Sequence, residues 1–154
     1  MRTAITITLG ALALSPAQGQ NAPAEPQRVL VVLAHPDDEL PMAPAIAALA
    51  RQGADVAIYY ATAGDAGPGV SRLSPGAALA ERRIAEAWCA VEALGVSTLL
   101  GAEHPDGKLG LAAHREGSPA RALAAAFKEQ FALSDLILTW GPDGGYGHAD
   151  HRMV

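Results

Sequence analysis

The stretch Arg28-Val-Leu-Val-Val-Leu-Ala34 places branched and apolar side chains on consecutive positions instead of alternating them with polar ones. An alternating strand buries one face, whereas a continuously apolar strand needs cover on both. The run stops at Pro36, and there the chain carries His35, Asp37, Asp38 and Glu39. Such a segment belongs inside a parallel sheet, with its polar end opening onto a crevice.

The rest of the chain repeats the pattern. Residues 38–52 read as a helix closed by Gly53, with Pro41 and Pro44 confined to its first turns or forcing a kink. Residues 54–62 read as a second strand, and 63–69 as a Gly-rich loop that is a turn first and a substrate lid second. A long helix over 75–94 is capped by Gly95, and a short third strand covers 96–100. An irregular region over 101–118 precedes a helix over 119–133 and a fourth strand over 135–140, and a further helix starts near His148. Alternating strands and helices predict an α/β fold, an open and mostly parallel Rossmann-like sheet wrapped by helices. No strand follows Trp140, so the domain is expected to be truncated at its C-terminus.

Composition narrows the partners. Of the 154 residues, 50% are hydrophobic and 18% charged, enough for a core, and the net charge of −5 argues against nucleic acid or an anionic membrane as partner. Met1-Arg2 followed by an apolar stretch to Leu14 and the small residues of Ser15-Pro16-Ala17-Gln18-Gly19 reads as a signal peptide over 1–19. That implies a periplasmic or secreted protein with no membrane span after signal removal. Residues 20–27, with Pro23 and Pro26, read as a linker, leaving 28–154 as the domain. The single cysteine, Cys89, excludes an intrachain disulfide and is expected to be a buried, inert thiol. Trp88, Phe127 and Phe131 are expected in the core, and His104 and His114 on exposed loops.

Two clusters carry chemistry. His35-Pro36-Asp37-Asp38-Glu39 follows the first strand, and His148-Ala149-Asp150-His151 follows the fourth. In open α/β sheets, ligands bind outside the carboxyl ends of the strands, so both clusters face the same end. His148 and His151, three positions apart on a helix start, would share a face. His35, one of Asp37 or Asp38, and one of His148 or His151 make a set of three protein ligands. That leaves a fourth position for water, the arrangement of catalytic zinc.

These residues resemble the two signature motifs of the LmbE/PIG-L zinc de-N-acetylases. The Gly64-Asp65-Ala66-Gly67 loop, Arg82 or Arg83 with Glu86, Leu94-Gly95-Val96 and Asp106-Gly107-Lys108-Leu109 agree as landmarks over residues 28–151. The resemblance implies zinc-dependent removal of the N-acetyl group from an N-acetylglucosamine-type sugar or glycoconjugate. It also implies His35, Asp38 and His151 as ligands and Asp37 as the base that activates water. His148 would then stabilise the oxyanion or protonate the leaving amine, and Asp150 would orient that imidazole. Asp65 and Arg82 are candidate substrate contacts, although Asp65 is one methylene shorter than the family's usual Glu. Tyr146 and Trp140 flank the clusters and could stack on a sugar ring. The chain is compatible with a homo-oligomer.

Other chemistries fare worse. The turn after the first strand is not Gly-x-Gly-x-x-Gly, and Gly-x-Ser-x-Gly is absent. A magnesium phosphoryl-transfer site would not need clustered histidines. The remaining alternative is a non-catalytic sugar-binding module or a truncated structural remnant of such a deacetylase.

Overall fold

A computed structural model describes residues 25–154, so the signal peptide expected over 1–19 and most of the linker lie outside the described residues. Strands β1 (Arg28–Leu33), β2 (Asp55–Thr62), β3 (Thr98–His104) and β4 (Leu136–Leu138) form one sheet in the order β3-β2-β1-β4. Every pairing is parallel. Helices α1 (Ala43–Arg51), α2 (Ala77–Ala93) and α3 (Pro119–Ala132) complete the α/β architecture.

The continuous apolar run of β1 is explained by two cores. Val29, Val31 and Leu33 pack with Ile46 of α1 and with Ala87 and Val91 of α2. Leu30, Val32 and Ala34 point the other way, toward Leu123 and Phe127 of α3. Each such side chain contributes about 1.5–3 kcal/mol when fully buried. β1 is thereby the most constrained element of the sheet, and whatever follows it is held in place.

Several element boundaries differ from expectation. The helix after β1 is split into a 3-10 turn at Leu40–Met42 and α1, with a proline in the first positions of each. Pro lacks an amide proton, so each tolerates only a helix start. β3 runs on to His104 because the chain bulges at Gly101 and Ala102, both with positive φ, instead of ending at residue 100. At Gly101 a Cβ would run into the Tyr60 carbonyl and the Tyr59 ring, so only glycine lets the strands close there. His104 therefore sits on a strand and is half-buried, whereas His114 lies exposed on a loop as expected.

The final helix is a single 3-10 turn, His151–Met153, and His148 lies in the loop before it. The expected helical face shared by His148 and His151 is thus not what unites them.

Cys89 is exposed, not buried. The buried stripe of α2 is Leu79, Ala87 and Val91, and Trp88 and Cys89 fall off it by one and two helical steps. Trp88 is accordingly 46% exposed. On α3, Phe127 is core, while Phe131 stacks on it at 5.2 Å and keeps an exposed face. Among the described residues, no helix is long and apolar enough to cross a membrane.

Candidate metal centre

At the carboxyl end of β1 a tight turn is built from its own acids. Asp38 Oδ2 accepts the backbone N–H groups of Ala34 at 3.1 Å and His35 at 2.8 Å, folding its carboxylate back over the strand end. Asp37, in between, has φ 93°, a conformation costing on the order of 1–3 kcal/mol for a non-glycine residue. Glu39 stabilises it. This buried carboxylate accepts the Asp37 N–H at 3.0 Å and the Tyr60 hydroxyl at 2.6 Å from neighbouring β2. The strain lifts the Asp37 side chain into solvent, where it is 64% exposed and meets Arg83 Nη2 at 2.9 Å.

The second cluster arrives from β4, the other neighbour of β1. Trp140 stacks flat on His151, with ring centroids 4.7 Å apart and 6° between planes. The loop passes over the far side of that indole, where a Cβ at Gly145 would come within 2.7 Å of the ring. His151 is fully buried, and its Nδ1 donates to the Gly144 carbonyl at 3.3 Å. A donating Nδ1 leaves Nε2 as the ring atom with a free lone pair.

Two imidazole nitrogens and both oxygens of one carboxylate then converge. His151 Nε2 lies 3.1 Å from Asp38 Oδ1 and 3.3 Å from His35 Nδ1, and His35 Nδ1 lies 3.4 Å from Asp38 Oδ2. Four ligands at zinc distances of about 2.0–2.1 Å, set at tetrahedral corners, stand about 3.3 Å from one another. The separations among the two imidazoles and the nearer Asp38 oxygen of each pair are of that size, so these residues fit a metal of this kind. His148 adds a third imidazole whose ring nitrogen lies within 4.8 Å of those of His35 and His151.

Charge in the site is strongly organised. Burial works to lower the His35 pKa, but hydrogen bonding and charge from Asp106 and Asp38 push it up to about 10. Burial would raise Asp38 and Asp106. His35 outweighs it in Asp38, which falls below the usual carboxylate range, and His35 with the Ala66 N–H brings Asp106 to about 2. His151 moves the other way: burial holds it below an ordinary imidazole, with His148 and His35 adding to the effect and Asp38 opposing it.

His35, Asp37, Asp38, Tyr146 and His148 line one cleft of about 180 Å³. Asp37 and His148 thus share the cleft with His35 and Asp38. Asp150 departs from its expected role. Its carboxylate is buried, accepts the N–H groups of Gly107 at 2.7 Å and Leu109 at 3.0 Å, and approaches His35 Nε2 at 3.4 Å. His148 is held instead by the Asp150 backbone N–H, donated to His148 Nδ1 at 3.2 Å.

Arg82 and Asp65 do not line this cleft, although Arg82 lines an adjoining cavity of about 690 Å³ together with Asp37 and Arg83. Arg82 pairs with Glu86 on the exposed face of α2 at 2.6 Å. Arg83 reaches the cleft in its place, donating to the carbonyls of Pro36 and Gly67 as well as to Asp37. The helical phase carried a signal for this, since Leu79, Arg83, Ala87 and Val91 form one i+4 stripe and Arg82 falls outside it. Asp106, named only within a landmark, proves central. Its Oδ1 lies 3.0 Å from His35 Nε2, delivered there by the bulged end of β3.

Comparison with known proteins agrees with this geometry. A 1D-myo-inositol 2-acetamido-2-deoxy-alpha-D-glucopyranoside deacetylase from Kineococcus radiotolerans is 37% identical, the match covering 84% of this chain and 43% of that protein. An N,N'-diacetylchitobiose deacetylase structure from Pyrococcus horikoshii superposes with TM-score 0.67 and 26% identity, over 82% of this chain and 46% of that one. The fold is also shared by a 4-carboxy-2-hydroxymuconate hydratase from Pseudomonas putida, at TM-score 0.63 and 22% identity, covering 82% of this chain and 52% of that one. The chain spans about half the length of the curated relatives it matches. The family described as PIG-L, GlcNAc-PI de-N-acetylase, matches residues 30–154, a span that holds both His and Asp clusters. The chain is therefore a member of the PIG-L de-N-acetylase family.

Proposed function

We propose that this protein hydrolyses the N-acetyl group of an N-acetylglucosamine-type sugar or glycoconjugate with the help of one zinc ion. The observation that carries the reading is the triangle of His35 Nδ1, the Asp38 carboxylate and His151 Nε2, with separations of 3.1–3.4 Å counted to Oδ2 of Asp38 from His35 and to Oδ1 from His151. Bound there, zinc would supply a Lewis acid that acidifies water and polarises the acetamide carbonyl. Every other task falls to side chains of this chain.

Asp37 stands at the lip of the cleft, oriented by Arg83, where its carboxylate can take the proton of the attacking water. Water oxygen bonds to the acetyl carbon, and the carbonyl oxygen gains charge. With His148 Nδ1 accepting a backbone N–H, its neutral ring carries the proton on Nε2, the nitrogen free to face that oxygen or the leaving nitrogen. The C–N bond then breaks as the leaving nitrogen takes a proton from His148 Nε2, which regains it from Asp37 by way of solvent, and acetate and a free amine are released. Tyr146, 76% exposed beside the cleft, offers an aromatic face to a sugar ring.

The test is acetate release from N-acetylglucosamine derivatives, measured with the zinc content of protein purified without added metal. Activity that tracks zinc supports the proposal. Sugar binding without acetate release, in protein fully loaded with zinc, would favour the non-catalytic alternative. We further propose export, supported by the apolar stretch and small residues that precede the domain.

A further inference from the structure

Both ring nitrogens of His35 lie close to carboxylates. Nδ1 turns toward Asp38 and His151, while Nε2 turns away and lies buried between Asp106 Oδ1 at 3.0 Å and Asp150 Oδ2 at 3.4 Å, not aligned with either. The two carboxylates are not equivalent. Both Asp150 oxygens already accept backbone N–H groups, from Gly107 and Leu109. Asp106 accepts the Ala66 N–H through Oδ2 at 2.9 Å, with the Gly67 amide beside it, and turns Oδ1 to the imidazole.

We propose that Asp106 is the positioning residue of the metal-facing histidine: by accepting from the Nε2–H of His35, which stays on the ring, it holds the imidazole in the tautomer whose Nδ1 lone pair points at Asp38 and His151. Zinc binding displaces the proton on Nδ1, and the neutral imidazole that results keeps its one N–H on Nε2. A carboxylate on the outer nitrogen favours this and makes the inner one a better donor. Asp106 also ties the Ala66 loop to His35, so the cleft wall and the ligand are set by one side chain. The inference rests on the reading of His35 as a zinc ligand.

Chelator competition for zinc, with long-range ¹⁵N–¹H spectra of the histidine rings, tests it on the full chain. Asp106→Ala is expected to lose about 10–100-fold in zinc affinity, and the His35 ring pattern to leave the Nε2–H form. Asp106→Asn should lose less, because its amide oxygen can still accept from His35 while its NH₂ then opposes the Ala66 N–H. Wild-type affinity and an unchanged ring pattern in Asp106→Ala would overturn the proposal, and a raised KM with kcat unchanged would then assign Asp106 to substrate. Two zinc ions per wild-type chain, one lost in Asp106→Ala, would also overturn it, since Nε2 would be a ligand. Should Asp106→Ala fail to fold, as judged by circular dichroism, Asp106→Asn decides by the same two measurements. If His35→Ala binds zinc as tightly as wild type, the metal reading itself falls; if only His35→Ala loses zinc, the metal reading stands without Asp106.

Discussion

His35 and His151, 116 positions apart, bring ring nitrogens within 3.3 Å of each other. The contact exists because β1 and β4 are neighbours in the sheet, so the two loops leaving their carboxyl ends meet across the crevice where strand order reverses. The proposed ligand and base roles of the two aspartates separate by direction. Asp38 folds back into the triangle, while the strained Asp37 turns outward to the cleft.

That separation predicts different losses. His151→Ala and Asp38→Ala should each lose most of the zinc, measured by metal analysis after dialysis. Asp37→Asn should retain zinc and lose about 10²–10⁴-fold in acetate release, the usual worth of a general base. Equal zinc loss in Asp37→Asn would show that the two aspartates have been assigned the wrong way round.

The two adjacent arginines should behave unlike each other. Arg82→Ala removes an exposed pair worth about 0–1 kcal/mol and should leave kcat/KM within about twofold. Arg83→Lys should cost about tenfold or more, because one ammonium cannot serve Asp37 and two carbonyls through the planar fork that guanidinium provides. Steady-state kinetics on both variants decides this.

Tyr60→Phe leaves the buried Glu39 carboxylate with only the Asp37 N–H. The expected destabilisation is about 1–3 kcal/mol. At about 2–4 °C per kcal/mol for a chain of this size, the calorimetric Tm should drop by several degrees. An unchanged Tm would mean that the hydroxyl is not what holds the turn.

Gly145→Ala combines a positive φ of 71° with a Cβ driven into the Trp140 ring. The indole must shift, and His151 stacks on its face, so zinc affinity should fall although no ligand has changed. Tryptophan fluorescence during zinc titration would follow both effects. Wild-type affinity in this variant would separate the loop path from the metal site.

Export is checked by intact mass of protein expressed with its own N-terminus. Mature protein should begin after Gly19. A full-length mass in the cytoplasmic fraction would defeat the idea.

The sequence by itself determined the parallel α/β sheet, because an apolar run like that of β1 has no stable place except between two layers. Once both His and Asp motifs were read as a family signature, it also named His35, Asp38 and His151 as the proposed ligands. Local pattern could say that much because strand burial, proline stops and glycine caps act over a few residues. The tertiary structure decided the rest. Gly101 looked like the end of a strand, yet a bulge carries β3 onward and delivers Asp106 to His35. Arg82 and Arg83 differ only in helical phase, and the packing of α2 selects Arg83. Asp150 sits beside His148 in sequence, but its buried carboxylate is taken by the amides of Gly107 and Leu109, so only its backbone serves that ring. In each case the deciding partner lies tens of residues away, and long-range contacts of that kind leave no periodicity to read.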